Sequence, residues 1–145
     1  MHVKTQGLVL RETNYKEADK ILTVLTREGG KRTVKARGCR RKNSPLAASA
    51  QLLAWSDMTL FAYRDRLTLN EAEALELFWG VRADVEKLAL ASYFAEVTEA
   101  VAEEGRPDPA LLSLALNSLY ALDKLQRPLP LVKAAFELKL LCVAG

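Results

Sequence analysis

The sequence predicts an α+β protein, an N-terminal five-stranded β-barrel followed by an all-α helical bundle. Apolar residues alternate with a period of two between Thr5 and Ala72, as half-buried strands require. Beyond Ala74 they recur at helical spacing, beginning with Val81, Val85 and Leu88. The switch divides the chain into residues 1–77, read as a barrel domain, and residues 78–145, read as a helical domain. With 145 residues, half of them apolar, the chain can bury a core without disulfide staples.

Thr5 to Arg11 alternates around Leu8 and Leu10 and reads as the first strand, with His2 ahead of it expected to be disordered. Lys20 to Thr26 (KILTVLT) is β-branched and apolar. Gly29-Gly30 supplies a turn that accepts positive φ, and Lys31 to Arg37 (KRTVKAR) returns as the partner strand. Side chains alternate across a strand, so Lys31, Thr33, Lys35 and Arg37 share a cationic face while Val34 and Ala36 point the other way. Gly38 to Pro45 is a loop by composition, and Leu46 to Leu53 is expected to form one short helix. Met58 to Tyr63 and Leu67 to Ala72 complete the strands around the polar turn Arg64-Asp65-Arg66. Five short strands with a helix between the third and fourth is the element order of an OB-fold barrel.

The helical segment carrying Phe94, Val97 and Val101 ends near Gly105. Asp108 can accept free amide protons of a first helical turn, and Pro109 fits the first helical position, where no amide hydrogen is needed. The run that follows, LLSLALNSLYALDKL, is apolar nearly all round and is expected to be the central buried helix. Pro128 and Pro130 break the chain before VKAAFELKLLCVA forms a third helix. Trp55 and Trp79 flank the predicted boundaries and are expected to pack between the two parts.

Charge is distributed unevenly. Residues 1–45 hold twelve Lys/Arg against four Asp/Glu, while the rest hold nine against fourteen, for a total of +3. Local density sets field strength, so the first third of the chain points to a polyanionic partner. Within it, Arg11, Lys16, Lys20, Lys31, Arg32, Lys35, Arg37, Arg40, Arg41 and Lys42 could line a groove that tracks a phosphate backbone. Tyr15, beside Lys16 in a polar loop, is the best candidate for base stacking. Phe61 and Tyr63 share a strand face and are compatible with barrel core or interdomain packing. The basic face is otherwise poor in aromatics, which suits backbone tracking better than base reading.

Catalysis has little to stand on. The single histidine is His2, and there is no Ser/His/Asp set, no Gly-x-x-x-x-Gly-Lys loop and no carboxylate cluster beside a histidine. Glu71, Glu73 and Glu76 lack a partner base and read as a solvated edge. Cys39 and Cys142 are far apart with no Cys-x-x-Cys spacing, against both a disulfide framework and a zinc site. Arg37, Arg40 and Arg41 around Cys39 would lower the pKa of its thiol. No apolar run reaches membrane-spanning length, and the chain reads as soluble and cytoplasmic.

These residues carry a family signature. GLVLRETNYKEADKILTVLTREGGKRTVKARGCRR followed by LFAYRDRLTLNEAE resembles the N-terminal part of the bacterial recombination-mediator family RecO. SYFAEVTEAV, LLSLALNSLYALDKL and LVKAAFELKLLCVAG are similar to the start of its C-terminal domain. The match is most specific at Tyr15 to Lys20, at Ala36-Arg37-Gly38 and at Phe136 to Leu141. The resemblance implies an OB-fold and a helical domain in a non-enzymatic, nucleoid-associated protein of DNA repair and homologous recombination. Such a protein binds single- and double-stranded DNA, anneals complementary strands, and works with RecR and single-stranded-DNA-binding protein to load recombinase. RecO proteins are usually longer, and the four-cysteine zinc site that many carry has no counterpart in this sequence, so no metal or other cofactor is carried over. A protein-interaction scaffold, with the basic loop meeting carboxylates of RecR or of the acidic tail of single-stranded-DNA-binding protein, is the alternative. An RNA-binding OB module is a third.

Overall fold

The computed structural model describes residues 1–145. Five strands, β1 (His2–Tyr15), β2 (Asp19–Thr26), β3 (Gly30–Ala36), β4 (Trp55–Tyr63) and β5 (Arg66–Glu76), close into a barrel in the order β1-β2-β3-β5-β4. All pairings are antiparallel except the closing one, in which β3 and β5 run parallel through Val34–Leu67 and Lys35–Thr68. The OB-type barrel and the helices after it match the predicted fold class.

Strand β1 is long enough to pair with β4 along its first half and β2 along its second, turning at a register shift between Val9 and Arg11. His2 is therefore ordered, paired with Phe61 and edge-to-face with its ring at 5.3 Å, which corrects the expectation of a disordered end. Val9 points into the barrel with Leu22, Val24, Val34, Met58, Leu60 and Leu69. Leu8 and Leu10, on the opposite face, join Leu25 and Leu53 in a second core shared with the helices. The helical part thus packs on the barrel wall through common apolar residues.

Leu46–Leu53 does not form the expected helix. It runs as successive turns, with only Ala50 N–H reaching four residues back, to the carbonyl of Leu46. Leu46, Ala50 and Ala54 enter the barrel core, and buried Leu53 takes φ +71°. A short helix has little intrinsic stability. Here burial and pinning of the segment decide instead: the Leu52 N–H donates to Glu12 Oε2 at 2.5 Å, and its carbonyl accepts from Arg82 Nη2 at 2.6 Å.

The helices number four. A single turn, α1 (Trp79–Arg82), precedes α2 (Val85–Val101), which opens at Asp84; that carboxylate accepts the Glu86 and Lys87 amides. Helix α3 (Pro109–Lys124) starts at Asp108, which accepts from Leu111 N–H, and packs against α1, α2 and α4 as the central helix. Helix α4 (Leu129–Ala144) takes Pro130 into its first turn, where proline is tolerated, so Pro130 starts the helix and does not break it. Trp55 packs on the shared core as expected, whereas Trp79 is 65% exposed and does not.

Candidate nucleic-acid interface

The hairpin β2–β3 turns through Gly30, whose φ of +67° suits glycine. A Cβ there would also collide with the backbone carbonyl of Arg106, because the hairpin tip lies directly on the α2–α3 connection. Gly105 N–H donates to the Lys31 carbonyl at 2.9 Å across this contact. That docking sets three of the ten sequence-selected cations apart from the rest.

Arg11, Lys31 and Arg32 face the helices. Arg11 Nη2 pairs with Glu99 Oε2 at 2.9 Å, and Arg32 Nε lies 3.8 Å from Glu104 Oε1. The Lys31 ammonium donates to the Glu99 carbonyl at 2.9 Å. Glu99 lies in the last turn of α2, where carbonyls lack helical partners and the helix dipole favours a cation, so Lys31 acts as a C-terminal cap supplied by the barrel. These three cations join the two halves of the molecule.

Of the other seven, Lys35 and Arg37 lie on the open wall of the barrel. Register places Ile21, Lys35, Thr68 and Phe61 side by side across β2, β3, β5 and β4. Together with Tyr15, Arg37, Tyr63 and Arg66 they line one groove, in which Asp65 is the single carboxylate. Lys35 Nζ sits 5.2 Å and Lys16 Nζ 5.3 Å from the Tyr15 ring centroid. Arg40 ties the basic loop to the β1–β2 corner: its amide donates to the Ala18 carbonyl at 2.9 Å and its guanidinium to the Lys16 carbonyl at 3.3 Å. Arg37, Arg41 and Lys42 are exposed and enter no ion pair. Lys20 differs, for it pairs with Glu12 at 2.7 Å and serves the fold.

Sequence reasoning missed Phe61, Tyr63 and Arg66 as groove residues. Phe61 and Tyr63 are exposed rather than core or interdomain, so the wall is not poor in aromatics. Their shared strand parity was a usable signal, but which parity faced water depended on where the helices dock. Cys39 is also corrected. It is buried in the barrel core, and desolvation outweighs the nearby Lys20 and raises its thiol pKa.

Further along β4 and β5, on the strand parity that carries Phe61, Asp57, Glu71 and Glu73 gather with Glu28 around Lys4, so positive and negative charge are segregated along the barrel. No group of His, Cys, Asp and Glu is placed to hold a metal ion.

Comparison with known sequences joins this geometry to a lineage. Residues 1–78 match the family described as Recombination protein O N terminal, and residues 82–145 match Recombination protein O C terminal. The chain belongs to the RecO family. It is 40% identical over 145 residues to a DNA repair protein RecO of Acetivibrio thermocellus, covering 99% of this chain and 57% of that protein. The RecO of Alkaliphilus metalliredigens is 39% identical, with 100% and 59% covered, and that of Listeria monocytogenes 37%, with 98% and 55% covered. The chain thus spans little more than half the length of these RecO relatives. No helix is long and apolar enough to cross a membrane.

Proposed function

We propose that this chain binds DNA along the cationic wall of its barrel and promotes annealing of complementary strands, as part of DNA repair and homologous recombination. The observation that carries the reading is the groove itself, where Lys35, Arg37 and Arg66 face one carboxylate and the basic loop continues the positive strip through Arg40, Arg41 and Lys42. Two complementary strands repel through their phosphates. A cationic wall lowers that repulsion, and released counterions supply much of the binding free energy. About five phosphate contacts on single-stranded DNA correspond to a log K against log salt slope of about −3.5. Fluorescence anisotropy of a labelled oligonucleotide across a salt series measures it, and a slope near zero removes the proposal. Replacing Arg40, Arg41 and Lys42 with Glu should abolish both binding and annealing. Competition between ribose and deoxyribose oligonucleotides separates this reading from an RNA-binding module.

A second reading, docking of a protein partner, has its own support. A groove between α3 and α4 is lined by Leu131, Val132 and Phe136, with Arg127 and Lys139 also in its walls. Apolar walls with cations suit an acidic peptide bearing an apolar anchor, such as the tail of single-stranded-DNA-binding protein, and RecR is the other partner proposed. Peptide binding lost in an Arg127→Glu, Lys139→Glu double variant that still binds DNA would assign the two activities to separate surfaces.

A further inference from the structure

Two corners of the barrel are built alike. At the β1–β2 corner Tyr15 is followed by Lys16, and at the β4–β5 corner Tyr63 is followed by Arg64. Each cation holds a positive φ, 54° for Lys16 and 56° for Arg64, a conformation that costs a non-glycine residue free energy. Both cations lie near the ring that precedes them, with Lys16 Nζ and Arg64 Cζ each 5.3 Å from the centroid. The two tyrosines border the same groove, whose volume of about 780 Å³ falls within the range of ligand-binding clefts. Phe61 lines it as well, two residues before Tyr63 on the same strand face. The three rings are 41%, 40% and 55% exposed for Tyr15, Phe61 and Tyr63. Aromatic area left in water around one groove, with strained cations beside it, is the arrangement expected where a flat apolar ligand with negative charges will cover it.

We infer that Tyr15, Phe61 and Tyr63 form a nucleobase-stacking site for the unpaired bases of a single strand, with Lys16, Lys35 and Arg64 meeting the phosphates of the same nucleotides. The inference rests on the DNA-binding reading above and adds to it a means of telling single strands from duplexes. Phosphate contacts alone are available on either. Base faces are free only on an unpaired strand, because in a duplex both faces of each base are stacked. Every base has such a face, so the site selects for strandedness without selecting for sequence.

The test compares a labelled oligothymidylate with an abasic oligonucleotide of equal length and charge, by anisotropy over a salt series. Stacking predicts that the oligothymidylate binds about tenfold tighter per stacked base. A Tyr15→Leu, Tyr63→Leu double variant should lose most of that advantage, its affinity for the oligothymidylate falling toward its affinity for the abasic oligonucleotide. Both positions are exposed, and an unchanged melting temperature checks that the variant folds. Equal affinity of the unaltered protein for the two oligonucleotides, or a variant that keeps the advantage, overturns the stacking site and leaves phosphate tracking standing. Failure of both oligonucleotides to bind at low salt overturns both readings.

Discussion

Glu99 Oε2 stands 2.9 Å from Arg11 Nη2, so a carboxylate in the last turn of α2 neutralises a cation on the barrel at the end of its open wall. Arg11 is nonetheless largely exposed, with 65% of its side chain accessible. The pair therefore contributes little stability, on the order of 0–1 kcal/mol, while withholding one cation from any bound polyanion.

Replacing Glu99 with Gln should release Arg11. The slope of log K against log salt for a single strand should steepen by about 0.7, the increment of one phosphate contact. The melting temperature should change little. An unchanged slope would place Arg11 outside the reach of the strand.

Lys31→Met should behave in the opposite way. It removes the ammonium that caps the Glu99 carbonyl and leaves a helix terminus short of a partner, at a cost of about 1 kcal/mol in urea unfolding. The DNA salt slope should stay where it was. A loss of slope without a loss of stability would move Lys31 from the interdomain joint to the binding surface.

Gly30→Ala should be costly. The substitution puts a side chain at φ +67° and into the Arg106 backbone, so the left-handed penalty of about 1–2 kcal/mol comes with displacement of the α2–α3 connection. Gly29→Ala, whose Cβ would lie 3.1 Å from Thr26 Oγ1 and not against backbone, should be milder. Paired urea titrations of the two variants give the comparison.

Cys39 supplies a pH test. Burial raises its thiol pKa in the folded protein, so on raising the pH the unfolded chain loses this proton first. The corresponding stability is fully present below the unfolded value of about 8.5 and is lost as the pH rises through the folded one. The stability difference between the unaltered protein and Cys39→Ala should therefore shrink above about pH 8.5, read from denaturant unfolding at a series of pH values. In the native state a thiol reagent should modify exposed Cys142 quickly and Cys39 only on unfolding.

Much of this architecture was legible because its signals are local. Strand alternation, Gly29-Gly30 and Asp108-Pro109 each act within a few residues, and the elements they predict are present. Leu46–Leu53 was misread because its alanine-rich composition suits a helix, whereas the barrel needed an irregular plug. His2 was misread because nothing nearby in the sequence reveals Phe61 as its partner.

The sequence by itself determined that a barrel precedes helices and that positive charge collects on the β1–β3 region, since periodicity and composition are properties of the chain alone. Only the tertiary structure decided which cations remain available. Lys31 and Lys35 share one face of β3, yet the end of α2 covers the first and leaves the second beside Tyr15. It likewise decided that Phe61 and Tyr63 look outward, because the apolar surface of α2 found Leu8, Leu10 and Leu25 on another part of the wall. The physical reason is that a strand fixes parity but not neighbours: which face is buried depends on where the distant helices bury their own apolar area.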